Sequence, residues 1–230
     1  MKPWRQKMWC IPPDQDAAFV AQMEQILQVY ARPYDPLHPV VCMDEQPKQL
    51  IGETRLPIIA SDGTQRIDHE YVREGVCCVW MFNEPLGSWR EVRVSNRRTA
   101  IDWACQVKAL VDDPRYVDAE RITLVCDQLN THALSSLYQA FDPIEALRIA
   151  NRIELVHTPK HGSWLNIAEC ELSVLSRQSL GRRMNQIAMI EQQAYAWATA
   201  RNESQTSVDW RFTTEHARIK LKRLYPKIVG

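Results

Sequence analysis

The sequence predicts an α/β fold, a mixed sheet with helices on both faces, and three observations lead to it. Two β-rich runs, residues 71–82 and 89–94, are separated by Asn-Glu-Pro-Leu-Gly-Ser and read as an antiparallel hairpin. Two later apolar runs, residues 122–126 and 153–156, have the length of buried strands and are set apart by segments with helical spacing. Antiparallel strands early and helix-separated strands late require a mixed sheet covered on both sides.

In chain order, residues 1–13 are rich in Trp, Lys and Pro, and read as a linker. Asp14 is placed to cap a helix with Phe19, Val20, Met23, Ile26, Leu27 and Tyr30 on its apolar face. The prolines of ARPYDPLHP stop that helix, and a boundary is expected near residue 35. Residues 40–43 suit a short buried strand ending at Asp44 and Glu45. Residues 46–68 show little period and carry the turn Ser61-Asp62-Gly63, so a loop with at most one hairpin is expected. After the hairpin, helical spacing returns over residues 99–111 and ends at Asp112-Asp113-Pro114. The strand at 122–126 ends at Asp127, and helices follow over about 133–140 and 144–150. The strand at 153–156 passes through Thr-Pro and Lys-His-Gly-Ser into a helix striped by Leu165, Ala168, Leu172 and Leu175. A further helix over about 186–200 and a polar linker lead to the tail. Trp80, Trp103, Trp197 and Trp210 are assigned to the core.

Apolar residues at 45% and charged residues at 24% are ordinary for a globular domain, and the formal net charge of zero selects no partner. The distribution does more. Residues 210–230 hold six Lys or Arg against Glu215 alone, a net +5. Seven cysteines lie mostly in apolar runs with no Cys-x-x-Cys pair, as expected for buried reduced thiols in a cytoplasmic protein. No apolar run approaches the ~20 residues that cross a bilayer, so no membrane role is expected.

The chemistry is sought at strand ends, because ligands of open α/β sheets collect there. VVCMD ends in Asp44 and LVCD ends in Asp127. A third carboxylate, Glu169, lies on the helix after the last strand. At 100° per residue the apolar stripe is centred about 80° from both Glu169 and Glu171, which lie on opposite sides of it, and Asn166 extends the polar side at Glu169, which favours Glu169. Three converging acids repel unless a cation offsets them, and oxygen-only ligands suit Mg²⁺ or Mn²⁺. Two such ions about 4 Å apart serve in-line phosphoryl displacement. An Asp after a strand also serves as a turn former or helix cap, and that alternative stands beside the metal reading.

The segments MDE, LVCDQLNTH and HTPKHGSWLNIAECELSVLSRQSL, with DWRFTTEHARIKLKRLYP near the end, resemble the catalytic domain of DDE transposases of bacterial insertion sequences, in the mariner superfamily. The resemblance spans roughly residues 36–226. It implies a ribonuclease-H-like fold, two Mg²⁺ or Mn²⁺ ions, and catalytic, metal-binding roles for Asp44, Asp127 and Glu169. It also implies DNA (transposon ends and target) as partner and a homodimer to hold both ends. Forty-one residues separate Asp127 from Glu169, longer than is usual in mariner-type relatives, and an insertion over about 142–151 would account for it. Such transposases carry helix-turn-helix modules ahead of the catalytic domain. The 35 residues here are too few for two, so a separate or upstream helix-turn-helix region is expected. The organisation expected is then residues 1–35 as linker and helix, 36–205 as catalytic domain and 206–230 as basic tail.

For the nucleic acid, Lys160 and His161 are placed before the Glu169 helix, and Arg177, Arg182 and Arg183 after its middle. Lys220, Lys222 and Arg223 of the tail are the stronger electrostatic candidates. The tail could equally be an amphipathic helix packed on the domain, and Asn130 and His132 are read as caps of the next helix. Two other functions share these features: a non-catalytic DNA-binding or assembly relic, and a nuclease of the same fold without strand transfer.

Overall fold

The computed structural model describes residues 11–12 and 14–227, so most of the expected N-terminal linker lies outside the described residues. The helix α1 (Ala17–Tyr30) is capped by Asp16, whose carboxylate accepts from the Phe19 N–H at 2.9 Å. The expected cap, Asp14, lies three residues before the helix starts, too far to reach its free N–H groups.

Five strands form one sheet: β1 (Val40–Glu53), β4 (Tyr71–Glu84), β5 (Trp89–Ser95), β6 (Ile122–Cys126) and β7 (Ile153–His157). Their order is β5-β4-β1-β6-β7. The β1–β4 and β4–β5 pairs are antiparallel, whereas β1–β6 and β6–β7 are parallel. The remaining helices are α2 (Ala100–Val111), α3 (Ser135–Ala140), α4 (Pro143–Asn151), α5 (Ile167–Gln178), α6 (Ile187–Glu203) and α7 (Thr214–Lys220). The lengthened stretch noted between Asp127 and Glu169 contains α4.

Strand periodicity divides the core. Val41 and Met43 face one layer with Trp80, Trp103, Leu110, Leu124 and Ile149, supplied by α2, α3 and α4. Cys42 faces the opposite layer with Phe19, Met23, Val125, Leu172 and Trp197, supplied by α1, α5 and α6. Alternate residues of one strand thus enter opposite cores, the two-residue repeat of a pleated strand buried on both faces. Cys42, Cys77, Cys78 and Cys126 are buried free thiols. No helix among the described residues is long and apolar enough to cross a membrane.

The region expected to be a loop is mostly strand. β1 continues to Glu53 and stays paired with β4 as far as Tyr71, forming a two-stranded arm. β6 pairs only with residues 40–42 of β1, so β1 has a free edge from there on, which is why Pro47 is tolerated. The Ser61-Asp62-Gly63 turn joins two short strands, β2 (Ile58–Ile59) and β3 (Gln65–Arg66). Gly63 takes φ +81 there, and Asp62 accepts from the Thr64 N–H at 2.9 Å.

The basic tail folds back onto α1. A Thr213–His216 capping box starts α7, Arg218 pairs with Glu24 at 2.9 Å, and Ala217 and Leu224 are buried in the core. Ile219, on the same helix, is 76% exposed.

Candidate active site

The parallel register of β1 and β6 places Cys42 opposite Val125. Two residues further along each chain come Asp44 and Asp127, so the sheet itself sets the two carboxylates side by side. The third element is tied to the first by Asn166. Its side-chain N–H donates to the Met43 carbonyl at 2.9 Å, while its Oδ1 accepts from the Ala168 N–H at 3.1 Å as the cap of α5. Met43 is the residue before Asp44, and Glu169 lies in the first turn of α5, so one buried amide fixes the helix start against the strand. Removing it in Asn166→Ala loses both a cap and a buried hydrogen bond. Urea denaturation is expected to show a loss of about 2 kcal/mol, and a loss below about 0.5 kcal/mol would contradict this role.

Asp44, Asp127 and Glu169 line one open cleft of about 540 Å³, together with Ser163, Asn166, Ser176 and Arg177. Among the described residues no three His, Cys, Asp or Glu side chains are gathered into a ready metal cage, so the three carboxylates share a cleft without yet closing on a point. Burial raises the Asp44 carboxyl to about 7, with the charges of Glu45, Asp127 and Glu169 adding to the effect against a backbone N–H that opposes it. Burial also pushes Asp127 upward, but the His132 imidazole and the Leu129 N–H outweigh it and hold Asp127 below the usual carboxylate range. Neighbouring carboxylates driven apart in this way mark a site short of positive charge. The donor set is oxygen only, and it fits hard divalent ions.

His132 does not cap the next helix; α3 has no side-chain cap. Its imidazole is buried, stacked on Trp103 with ring centroids 5.7 Å apart, and lies between Asp127 at 2.6 Å and Glu45 at 3.3 Å. Sequence spacing hid this residue, since a His six positions after a strand is indistinguishable from a loop histidine until the chain turns back.

The cations fall into four groups. Arg177 is exposed and lines the cleft. Lys160, His161 and Arg182 are exposed in the loops flanking α5, with His161 at φ +64. Arg183 is committed to the arm: it pairs with Glu53 at 2.7 Å, donates to the carbonyls of Asp68, His69 and Glu70, and stacks on Tyr71. Lys220, Lys222 and Arg223 are exposed, with the Lys220 ammonium 5.9 Å from the Phe212 ring centre.

Residues 39–191, well over half of the chain, match the family of the DDE superfamily endonucleases. The chain belongs to that family. The chain also shares its fold with the Mos1 mariner transposase. Against the Mos1 paired-end complex with Mn the TM-score is 0.56 at 15% identity, covering 88% of this chain and 61% of that one. Against the paired-end complex with Mg it is 0.53 at 14% identity, covering 97% and 67%. Against the Mos1 strand transfer complex it is 0.51 at 17% identity, covering 85% and 58%. The chain thus spans roughly three fifths of the length of the Mos1 chains it matches. No curated protein matches its sequence significantly.

Proposed function

We propose that this chain is the catalytic portion of a transposase, one that cuts DNA phosphodiesters at element ends and joins the freed 3′-OH to target DNA. The observation that carries the reading is that Asp44, Asp127 and Glu169, from a strand, a strand end and a helix, line one cleft in a DDE endonuclease. The Mos1 chains of the same fold are captured as paired-end and strand-transfer complexes, which supports it.

In this reading residues 36–205 form the catalytic unit, with residues 1–35 leading in and 206–230 as a basic appendage. Two Mg²⁺ or Mn²⁺ ions would be held here, Asp44 being shared by both and Asp127 and Glu169 each taking one side. Bound there, the ions supply Lewis acidity at the scissile phosphate and lower the pKa of the attacking water or 3′-OH. Arg177 on the cleft wall attracts the phosphate backbone, and Lys160, His161, Arg182 and the tail cations Lys220, Lys222 and Arg223 extend that attraction outward. Arg183 contributes indirectly, by holding the arm. A homodimer holds the two ends, a helix-turn-helix region supplied upstream or in trans recognises them, and the reaction takes place in the cytoplasm.

The test is strand nicking and joining by the purified chain with Mn²⁺, an element-end duplex and the helix-turn-helix partner. Nicking followed by joining is expected, with Asp127→Asn lowering the rate about a thousandfold or more. Nicking of arbitrary DNA without joining would make the chain a plain nuclease. DNA binding without nicking would make it an assembly module.

A further inference from the structure

Asp127 is followed by five residues that bring the chain back to it. Its Oδ1 accepts from the Leu129 N–H at 3.1 Å, closing a turn, and the His132 N–H donates to the Leu129 carbonyl at 2.8 Å. This places the His132 Nδ1 at 2.6 Å from the same Oδ1. On the other side of the ring, Nε2 lies 3.3 Å from the Glu45 carboxylate. The His132 side chain is 1% exposed and that of Glu45 is 3%, while Asp127 remains 40% exposed on the cleft. The ring plane is held by Trp103, and the backbone by His157, whose Nε2 lies 2.7 Å from the His132 carbonyl.

We propose that Glu45, His132 and Asp127 form a positioning relay, in which buried Glu45 fixes the His132 ring and His132 holds Oδ1 of Asp127 so that Oδ2 is presented to a divalent cation. The proposal rests on the metal reading of the cleft. A free aspartate on a loop samples several rotamers, and ordering it at the moment of ion binding weakens affinity. Both contacts to Asp127 reach one oxygen and leave the other outside them. Glu45 is adjacent to Asp44 in sequence, so one strand delivers a carboxylate to the cleft and a carboxylate to its support. Neither Glu45 nor His132 reaches the cation in this arrangement.

Mn²⁺ titration by calorimetry of the full chain, with no DNA present, tests it. His132→Phe keeps a ring against Trp103 but removes both nitrogens, and is expected to weaken Mn²⁺ binding about 10- to 100-fold. His132→Asn restores an N–H near the Nδ1 position and is expected to stay within about 5-fold of the unmodified chain. Folded His132→Phe binding Mn²⁺ as tightly as the unmodified chain would overturn the relay, as would equal losses in the two variants. A second measurement needs no variant: the His132 Nδ1–H resonance, assigned by nitrogen-15 labelling, should persist while Mg²⁺ is titrated in. Its loss on Mg²⁺ binding would mean that Asp127 leaves His132 to reach the ion, and the relay would fall. The underlying metal reading fails separately, if Asp127→Asn binds Mn²⁺ as well as the unmodified chain.

Discussion

Glu171→Gln is expected to destabilise the protein by about 3–5 kcal/mol, whereas Glu169→Gln, two residues away, should change stability by less than about 0.5 kcal/mol and abolish nicking. The two glutamates of α5 have opposite environments. The Glu171 carboxylate is buried, 3.0 Å from the Arg90 Nε and 2.9 Å from an Arg201 guanidinium nitrogen. Arg90 is fully buried, and burial works against its charge; its other partners are the Thr206 carbonyl and the Asn202 side chain. Neutralising Glu171 leaves the Arg90 charge without its counter-ion in a place water does not reach. For a domain of this size the loss corresponds to a melting temperature lower by about 10 °C. Glu169 is exposed in the first turn of α5, where its charge gains a few tenths of a kcal/mol from the helix dipole. A paired Arg90→Met and Glu171→Leu variant should recover most of the single-site loss, since an apolar pair of similar volume removes both desolvation costs. Urea denaturation of the variants measures all of this, and a Glu171→Gln loss under about 1 kcal/mol would contradict it.

That Glu169 faces the cleft was legible in part, through Asn166 beside it on the polar side of the helix. Ala168, Leu172 and Leu175 are buried as their helical spacing requires, Leu165 is buried from the short turn that precedes α5 rather than from the helix, and Glu169 falls on the cleft side. Glu171, at the same angle on the other side of the stripe, reads as solvent only while α5 is taken alone, and the partners that bury it come from β5 and α6. Pairing across the sheet was legible in part. Apolar runs identified the buried portion of β4 and the whole of β6, where each residue meets a core. They gave nothing for residues 44–53, where the arm carries strand on ladder hydrogen bonds and little burial, so no hydrophobic period exists to read. Of the Asp44–Asp127 pairing only Asp127 follows a strand end as expected; Asp44 lies inside β1, which runs on to Glu53, and the register comes from the Cys42–Val125 alignment, which no local pattern encodes. His132 was hidden for the same reason: what makes it part of the site is Glu45, eighty-seven residues earlier.

Asp44→Asn is expected to make the metal-free protein more stable above neutral pH, by roughly 2 kcal/mol, an increase in melting temperature of about 5 °C. In the folded chain burial first, and then the charges of Glu45, Asp127 and Glu169, raise the Asp44 carboxyl to about 7 from its ordinary value of 3.8. Between those two values the folded state keeps a proton that the unfolded state has released. Stability therefore falls as the pH rises across that window, and it stays at the lower level above about 7. The full shift corresponds to about 4 kcal/mol, and the cleft-side exposure of Asp44 reduces it. The neutral amide introduced by Asp44→Asn escapes this cost, so the curves of variant and unmodified chain should coincide near pH ~4 and diverge toward pH ~8 in chelator. Adding Mn²⁺ should reverse the order. Ions that bind only the folded chain stabilise it in proportion to the logarithm of their affinity, and that affinity depends on the carboxylate the variant lacks. Urea denaturation at the two pH values, with chelator and then with Mn²⁺, gives four comparisons. A variant no more stable than the unmodified chain at the higher pH in chelator would mean that the cleft carries no stored repulsion. The carboxylates would then be solvated surface groups, with nothing at the cleft for a pair of cations to relieve.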